Sequence, residues 1–436
     1  MNPREFTRRR RALMRMMGKG SIAILPTAPA TRRNRDVEYP YRPDSDFYYL
    51  TGFTEQESIA VLIPGRADGE FLLFCRRNDP GREIWDGRRA GPAGAVADFG
   101  ADEAFSIEDV DEVLPDLVQH CERVFYTMGA RPEFDSKLIG WVTEMRSRGG
   151  VGAHTPDEFI ALDHLLHDLR LYKSRVELGA LRKAAKIAVA AHRRAMAVCR
   201  PGLYEYELEA EYVHEFRSNA ASLSYQPIIG GGNNACILHY VQNDQPLIDG
   251  ELVLADVGCE YDYYASDVTR TWPVNGRFSA AQREVYELVL EASSAATAKV
   301  QPGNHWNDPH DAAVKVITRG LINMGLLKGS LKILLRDTKY RKYFMHRTGH
   351  WLGMDVHDVG DYKVSDQWRL LEPGMVMTVE PGIYIAGARN IAKKWRNIGI
   401  RIEDDVVVTR DGHEVLTRDL PTDPDEIEKL VGSQAT

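Results

Sequence analysis

The stretch LVLADVGCEYDYYASDVTRTW, residues 252–272, decides the fold of the second half of this 436-residue chain. Two apolar, strand-like runs flank a polar centre, which predicts an antiparallel hairpin. With the turn centred between Tyr261 and Asp262, Asp256 and Asp267 face each other directly. Like charges opposed in this way destabilise a sheet, and a metal ion between them reverses that interaction. The alternative is that one aspartate points to solvent while the other caps a turn, but for the opposed pair we favour a metal site.

Two later segments of similar character carry further carboxylates. Glu380 ends the apolar run MVMTVE, and Glu403 ends IGIRIE, just before Asp404 and Asp405. Ionised carboxylates in buried strands are costly unless cations pair with them, and no comparable set of buried Lys or Arg is visible. Strand alternation places Arg401 on the same face as Glu403, where it can hold a ligand carboxylate bidentately. The alternative for Glu403 is an acidic surface turn.

Three histidines lie in the segment FMHRTGHWLGMDVHDVG: His346, His350 and His357. A lone histidine beside apolar residues is more often a core residue, but three so close together, between glycines, indicate a functional cluster. No HExxH motif is present, so a thermolysin-like zinc helix is not supported.

The simplest interpretation is a two-metal hydrolytic site with one imidazole and four carboxylates, namely His350, Asp256, Asp267, Glu380 and Glu403. Such a donor set suits Mn²⁺, with Zn²⁺, Co²⁺ or Fe²⁺ as alternatives.

A fourth histidine, His239, follows a glycine-rich stretch at Gly230 to Gly232. Neither GxxxxGK[ST] nor GxGxxG is present, so the stretch does not predict a phosphate-binding loop. We interpret it as a flexible wall of an active site. His239 is then a substrate-facing imidazole, and a core histidine is an alternative of equal weight.

The length of the chain predicts two domains. Residues 1–172 alternate strand-like runs, such as SIAILP and GEFLLFCR, with helical segments such as IEDVDEVLPDLVQHCERV, which is typical of an α/β layer domain. Residues 173–436 combine two long helical patterns, VELGALRKAAKIAVAAHRRAMAVC and SAAQREVYELVLEASSAATAKV, with the strands that carry the candidate ligands. We therefore expect an α+β domain there, with Ser279 as the N-cap of its second long helix.

Composition narrows the class of protein. The net charge of −8 argues against a nucleic-acid-binding protein, and no apolar run approaches the length of a membrane span. Five scattered cysteines without a CxxC motif are typical of a reducing compartment, so we expect a cytoplasmic protein. The basic run from Arg8 to Arg11 is interpreted as part of an amphipathic helix with a solvated basic face.

Taken in order, these motifs resemble those of the pita-bread metallopeptidases, and within them the aminopeptidase P branch. The segments VEYPYRPDSDFYYLTGF and EIWDGRR in the first half add to TVEPG and IGIRIEDDVVVT in the second, and the resemblance spans nearly the whole chain. It implies a creatinase/prolidase-type N-terminal domain followed by a pita-bread catalytic domain. It also implies an enzyme that removes the first residue of peptides with proline in second position, by attack of a metal-bridging hydroxide.

The resemblance further implies a role for each site residue. Asp256 would bind one metal ion, His350 and Glu380 the other, and Asp267 and Glu403 both. Glu380 would also shuttle a proton, and Arg401 would support the ligands. His239, His346 and His357 would face the substrate. Asp36 and Trp85 of the N-terminal domain would reach an active site within a homotetramer built as a dimer of dimers.

Several rival functions share part of this pattern. Prolidase, which cleaves only dipeptides, has the same fold, whereas methionine aminopeptidase lacks a long N-terminal domain. A non-catalytic pita-bread module for protein binding should have lost ligands, and all five are present here. A calcium-binding or storage protein does not explain His350 or the wide spread of the ligands along the chain.

Overall fold

The computed structural model describes residues 2–148 and 154–434. The chain divides into two compact units, Met1–Leu169 and Arg170–Thr436. The division lies close to residue 172, where the sequence places the domain boundary. Each unit has its own hydrophobic core.

The first unit is built around a mixed six-stranded sheet. Its strand order is Glu103–Ser106, Phe71–Cys75, Ile59–Leu62, Ser21–Pro26, Arg123–Phe125, Glu158–Ile160. The three strands Ser21–Pro26, Ile59–Leu62 and Phe71–Cys75 pair antiparallel, and the outer pairings are parallel. A short ribbon pairs Arg32–Asn34 with Val37–Glu38. The predicted strands of this half are thus present, and every residue of Phe71–Cys75 is buried.

Helices connect these strands and give the unit its α/β character. They are Pro3–Met17, Ser45–Thr51, Pro80–Asp86, Gly91–Phe99, Val110–Gln119, Pro132–Ser147 and Leu162–Leu171, with a 3₁₀ turn at Ile107–Asp109.

The first of these helices corrects one prediction. A helix is present, as expected, and Arg8 and Arg11 are exposed, but Arg9 and Arg10 are only 1% and 5% exposed, so only half of the basic run forms the predicted solvated face. The Arg9 guanidinium lies 4.0 Å from the ring centroid of Tyr49 and donates a hydrogen bond to the carbonyl oxygen of that residue. Arg10 donates to the carbonyl oxygen of Leu50. Long arginine stems pack on apolar surface, and their charged ends stabilise the C-terminal part of the next helix.

The second unit begins with two helices, Arg175–Val198 and Glu205–Ser218. Its other helices are Ala280–Thr297, Asp308–Asn323, Leu331–Arg336 and Pro424–Leu430, and 3₁₀ turns occur at Gly232–Cys236, Lys339–Lys342 and Lys393–Trp395. Ser279 caps its helix as predicted: its side chain accepts a hydrogen bond from the Gln282 N–H in a full capping box.

Short antiparallel strands complete this unit. One three-stranded sheet has the order Ile228–Gly231, Leu252–Asp256, Thr269–Pro273. A second has the order Val376–Val379, Asp404–Thr409, Gly412–Val415. Gly382–Ile385 pairs with Ile398–Arg401, and Lys363–Val364 with Gln367–Trp368. A third small sheet has the order Tyr264–Ala265, Cys259–Tyr261, Ser222–Leu223.

The turn of the central hairpin lies one residue later than predicted, which shifts the pairing of its strands by two residues. The turn is centred between Asp262 and Tyr263, which have φ of 52° and 66°, a backbone suited to a tight two-residue turn. Asp256 therefore pairs with Thr269 and is not directly opposite Asp267. Because Asp267 precedes Thr269 by two residues, strand alternation still brings both aspartates to one face, as diagonal neighbours.

The glycine-rich stretch is also more regular than predicted. Ile228–Gly231 is a strand paired with Leu252–Asp256, and it leads directly into the turn Gly232–Cys236. An added Cβ at Gly230 would lie 2.8 Å from the backbone of Asn234 and Ala235, so the glycine permits close packing of strand and turn. The stretch is therefore an ordered part of the sheet and not a flexible loop.

In the residues that the structure describes, none of the helices combines the length and the apolar character needed to cross a membrane.

Candidate metal centre

The five predicted ligands lie at the ends of strands or next to them. Asp256 is the last residue of its strand, Glu380 directly follows Val376–Val379, and Glu403 lies between two strands. His350 is held against the strand that ends before Glu380. Its backbone N–H donates to Thr378 Oγ1 at 3.1 Å, and its carbonyl oxygen accepts from the Thr378 N–H at 3.0 Å.

Gly349 makes this close approach possible. A Cβ atom there would lie 2.1 Å from the carbonyl oxygen of Thr378, so any other residue would push His350 away from the strand.

A tyrosine joins the first two carboxylates. The Tyr225 hydroxyl lies 2.5 Å from Asp256 Oδ1 and 2.6 Å from Asp267 Oδ1, so the two side chains meet in spite of the shifted register. Burial raises the pKa of Asp256, with Arg401 opposing that shift. For Asp267, burial is outweighed by contact with His350, and its pKa is lowered.

The orientation of His350 makes one ring nitrogen available inside the cluster. Nδ1 lies 2.9 Å from the carbonyl oxygen of Trp351, which can only accept, so Nδ1 carries a proton. Nε2 lies 3.3 Å from Asp267 Oδ2 and 3.8 Å from Glu380 Oε1. Burial lowers the pKa of His350, but contact with Asp267 and the charge of Glu380 raise it to about 9.

Asp267, His350 and Glu403 form the compact centre of the site. Each offers one ligand atom, and these atoms all lie within 4.8 Å of one another. Burial and the charges of neighbouring carboxylates raise the pKa of Glu403 well above its usual value. Burial likewise raises the pKa of Glu380, to about 7, although His350 and Arg401 oppose that shift.

Arg401 organises the surrounding hydrogen bonds, but not as predicted. Its guanidinium donates to three different acceptors: Asp256 Oδ2 at 2.5 Å, Thr269 Oγ1 at 3.0 Å and the Tyr384 hydroxyl at 2.8 Å. The predicted bidentate contact with a carboxylate is therefore wrong. Thr269 in turn donates to Glu403 Oε2 at 2.5 Å, so Arg401 fixes two ligands at once, one directly and one through a hydroxyl.

The same guanidinium also fixes His346. The Tyr384 hydroxyl lies 2.8 Å from His346 Nε2, and Nδ1 of that ring lies 2.7 Å from the carbonyl oxygen of Arg347. Because the carbonyl needs a donor, Nδ1 carries the proton and Nε2 accepts from Tyr384. Burial lowers the pKa of His346 to about 3. The ring is therefore neutral and held in one orientation.

Sequence reasoning missed several residues of this site. Asp405 accepts from the Asp267 N–H, and burial raises its pKa well above the usual value. The buried Arg270 donates to the Glu403 carbonyl oxygen at 2.7 Å and to Asp404 Oδ1 at 2.7 Å. Asp405 and Arg270 both lie in the quoted motifs, but their roles depend on contacts between distant strands.

The donor set fits divalent metal ions. Among the described residues, Arg401 is the one Lys or Arg that forms an ion pair with any of the four candidate carboxylates, and it pairs with two of them, Asp256 and Glu403. Its single charge leaves the cluster with an excess of acid groups, and these charges add to burial in raising the pKa values of Glu380 and Glu403. Divalent cations would offset this excess and accept the lone pairs of the oxygens and of His350 Nε2.

A cavity of about 500 Å³ opens onto these ligands. His239 and His357 are exposed and line it, which excludes the core alternative for His239. The rings of His350 and His357 lie 4.1 Å apart. Two imidazoles therefore border the space next to the candidate ligands.

Asp36 and Trp85 belong to the first unit, and both are exposed. Asp36 lies in the tight turn between Arg32–Asn34 and Val37–Glu38, and Trp85 in the helix Pro80–Asp86. Their predicted role at an active site stays a prediction.

Comparison with known families gives two matches. Residues 179–410 match metallopeptidase family M24, and residues 6–126 match the aminopeptidase P N-terminal domain. Among curated proteins, the Xaa-Pro aminopeptidase of Escherichia coli K12 is 43% identical over 429 residues, covering 98% of this chain and 97% of that protein. The Xaa-Pro aminopeptidase of Haemophilus influenzae is 41% identical, with the same coverage.

Solved structures give the same result. Pseudomonas aeruginosa aminopeptidase PepP has a TM-score of 0.97 at 58% identity, covering 99% of this chain and 98% of that one. Proline aminopeptidase P II from Yersinia pestis has a TM-score of 0.95 at 44% identity, covering 99% of each chain.

Proposed function

We propose, because this chain belongs to metallopeptidase family M24 and to its aminopeptidase P branch, that it removes the N-terminal residue from peptides with proline in second position. The observation that carries this proposal is the convergence of Asp267, His350 and Glu403, which all line one cavity. The activity stated for the E. coli and H. influenzae relatives, which align over nearly the whole chain, supports the choice of substrate.

The proposed centre holds two divalent ions per chain. Asp256 would hold one, His350 and Glu380 the other, and Asp267 and Glu403 both. We assign Mn²⁺ first because hard oxygen donors dominate, with Zn²⁺, Co²⁺ or Fe²⁺ as alternatives. A zinc-substituted form of the E. coli enzyme has been solved in complex with product, which supports a site that accepts a divalent metal ion. When bound, such ions activate a water as nucleophile and polarise the carbonyl that it attacks.

The surrounding side chains would complete the chemistry. Glu380 Oε2 lies 3.4 Å from His346 Nδ1, at the edge of the cavity, where the carboxylate can take a proton from the attacking water and pass it to the leaving nitrogen. His239 and His357 would orient the scissile carbonyl and donate to the oxygen as negative charge develops on it. Arg401 would keep the ligands in place throughout.

The assembly and location of the enzyme complete the proposal. We expect a cytoplasmic homotetramer, a dimer of dimers, that binds neither nucleic acid nor membranes. In it, Asp36 and Trp85 would border an active site and limit access to peptides with a free N-terminus. The exposure of both residues is compatible with that role.

An assay of metal-replete and metal-free enzyme tests the function. The substrates are an Xaa-Pro dipeptide, an Xaa-Pro-Xaa tripeptide and a tripeptide without proline. We expect Mn²⁺-loaded enzyme to cleave the first bond of the Xaa-Pro-Xaa tripeptide and to leave the proline-free one intact. Chelation should abolish cleavage, and added Mn²⁺ should restore it best. Full activity in a verified metal-free preparation would contradict the two-metal proposal, and cleavage of the dipeptide alone would indicate a prolidase.

A further inference from the structure

The cavity beside the metal centre contains a guanidinium that the proposed chemistry does not use. Arg347 directly follows His346, and both line the cavity. Arg401, the other guanidinium there, is paired with Asp256. Arg347 forms no ion pair with any residue in the described ranges 2–148 and 154–434, and its one side-chain hydrogen bond goes to Asn307 Oδ1. Four of its five N–H groups therefore remain for another acceptor.

Aromatic rings hold this guanidinium in position. Its central carbon lies 5.0 Å from the ring centroid of Trp306 and 5.1 Å from that of Trp368. These two centroids are 5.4 Å apart, so the guanidinium rests against both rings and is not sandwiched between them. Trp306 is buried and packs on Tyr362 at 4.4 Å, which gives the support a fixed base. Asp311 acts on Arg347 through its charge, without an ion pair.

A guanidinium placed in this way is suited to bind a planar anion. Arginine stacks on aromatic faces and is weakly hydrated, so little is lost when water leaves it. The support also restricts the rotation of its side chain, and part of the entropy cost of binding is thereby met in advance. A carboxylate can accept two parallel hydrogen bonds from such a fork.

We propose that Arg347 binds a carboxylate of the peptide substrate, in the part of the peptide that follows the proline. This inference rests on the proposed aminopeptidase function. The substrate's terminal ammonium is repelled by a guanidinium, so the amine end lies away from Arg347 and the C-terminal part faces it. The carboxylate can belong to the C-terminus of a short peptide or to an acidic side chain, since both present the same group.

Paired peptides separate the two sources. One pair is Ala-Pro-Leu as free acid and as C-terminal amide, and the other is Ala-Pro-Asp amide and Ala-Pro-Asn amide. Charge-assisted hydrogen bonds of this kind correspond to roughly 10-fold or more in affinity. For at least one pair, we therefore expect the KM of the Mn²⁺-loaded parent to be lower by that factor for the peptide that carries the carboxylate. Arg347→Met keeps most of the aliphatic stem of the side chain and removes its charge, so it should bring the ratio of the two KM values close to one.

Lys363→Met is the matched control. The Lys363 ammonium lies 4.6 Å from the ring centroid of Trp368, but the residue is exposed and does not line the cavity. Lys363→Met also removes a positive charge next to the Trp368 ring, and it should keep the parental ratio of KM values. Calorimetric titration with Pro-Leu and Pro-Leu amide adds a binding measurement that does not depend on turnover, and metal analysis verifies that each variant is loaded.

Each outcome decides the proposal. A parental preference that is lost in Arg347→Met and kept in Lys363→Met supports it, and the pair that shows the preference identifies the source of the carboxylate. No preference in the parent, a preference that survives in Arg347→Met, or an equal loss in Lys363→Met overturns it. If the loaded parent cleaves no Xaa-Pro peptide while it binds Pro-Leu through Arg347, the proposed function fails separately.

Discussion

At the scale of single residues, the site is an accumulation of acid groups that few cations offset. Asp267 contacts both the imidazole of His350 and the hydroxyl of Tyr225. Its neighbour Glu403 is 2% exposed and hydrogen-bonded to Thr269. A side chain fixed in this way is preorganised to bind a metal ion, because few rotamers must be lost on binding.

Substitution of either bridging ligand tests this arrangement. We expect Asp267→Ala and Glu403→Ala each to lose at least one of two bound metal ions and to lower kcat/KM at least about 100-fold, since each is proposed to hold both ions. Elemental analysis of purified protein measures the metal content. Asp249→Ala, at an exposed position, is the control and should retain both ions. Two ions per chain in both ligand variants would refute the bridging assignment.

The residue types of the site could be predicted from sequence, but not its hydrogen bonds. Carboxylates at strand ends and clustered histidines are visible in short motifs. The contacts of Tyr225 and of Arg401 are not, because Arg401 reaches Asp256 across 145 positions of the chain. Only the packing of separate strands brings such partners together, and no local period encodes it.

At the scale of secondary-structure elements, the central hairpin shows where sequence reasoning is limited. Apolar runs predict the strands, but the register depends on the turn, and Asp262 and Tyr263 both adopt positive φ without a glycine to signal it. The shift made Thr269 the partner of Asp256. A shift of the pairing by two residues keeps every side chain on the same face of the sheet. The metal hypothesis therefore did not depend on the wrong register.

The N-terminal helix gives a prediction at this scale. Arg9→Ala removes a buried guanidinium that packs on Tyr49, together with its hydrogen bond to the carbonyl oxygen of that residue. We expect destabilisation by about 2–3 kcal/mol, which corresponds to a Tm lower by roughly 4–12 °C in a unit of this size. Arg11→Ala, in the same helix but exposed, should change Tm by no more than about 1–2 °C. Equal Tm shifts in the two variants, by scanning calorimetry, would show that the burial of Arg9 does not contribute.

At the scale of the whole molecule, the order of motifs predicted more than any single one. The resemblance to pita-bread metallopeptidases rested on segments from both halves of the chain, and its fold is confirmed by the family matches and by the P. aeruginosa structure. Propensity alone indicated only an α/β layer domain followed by an α+β domain, because many topologies share the same elements.

Two exposed apolar residues of the first unit bear on the assembly of the enzyme. Trp85 and Ile84 are 85% and 82% exposed, and they lie in the helix Pro80–Asp86, where no residue is buried. Large apolar side chains so exposed in a short helix are typical of surfaces that contact another molecule, and an indole can pack against a proline ring. We therefore expect a tetramer by light scattering, and in Trp85→Ala a higher KM or an altered preference for peptide length, with two metal ions retained. Met128→Ala, at another exposed apolar position of the same unit, should behave as the parent. A monomeric parent whose kinetics are unchanged by Trp85→Ala would remove both the assembly and the role of this indole.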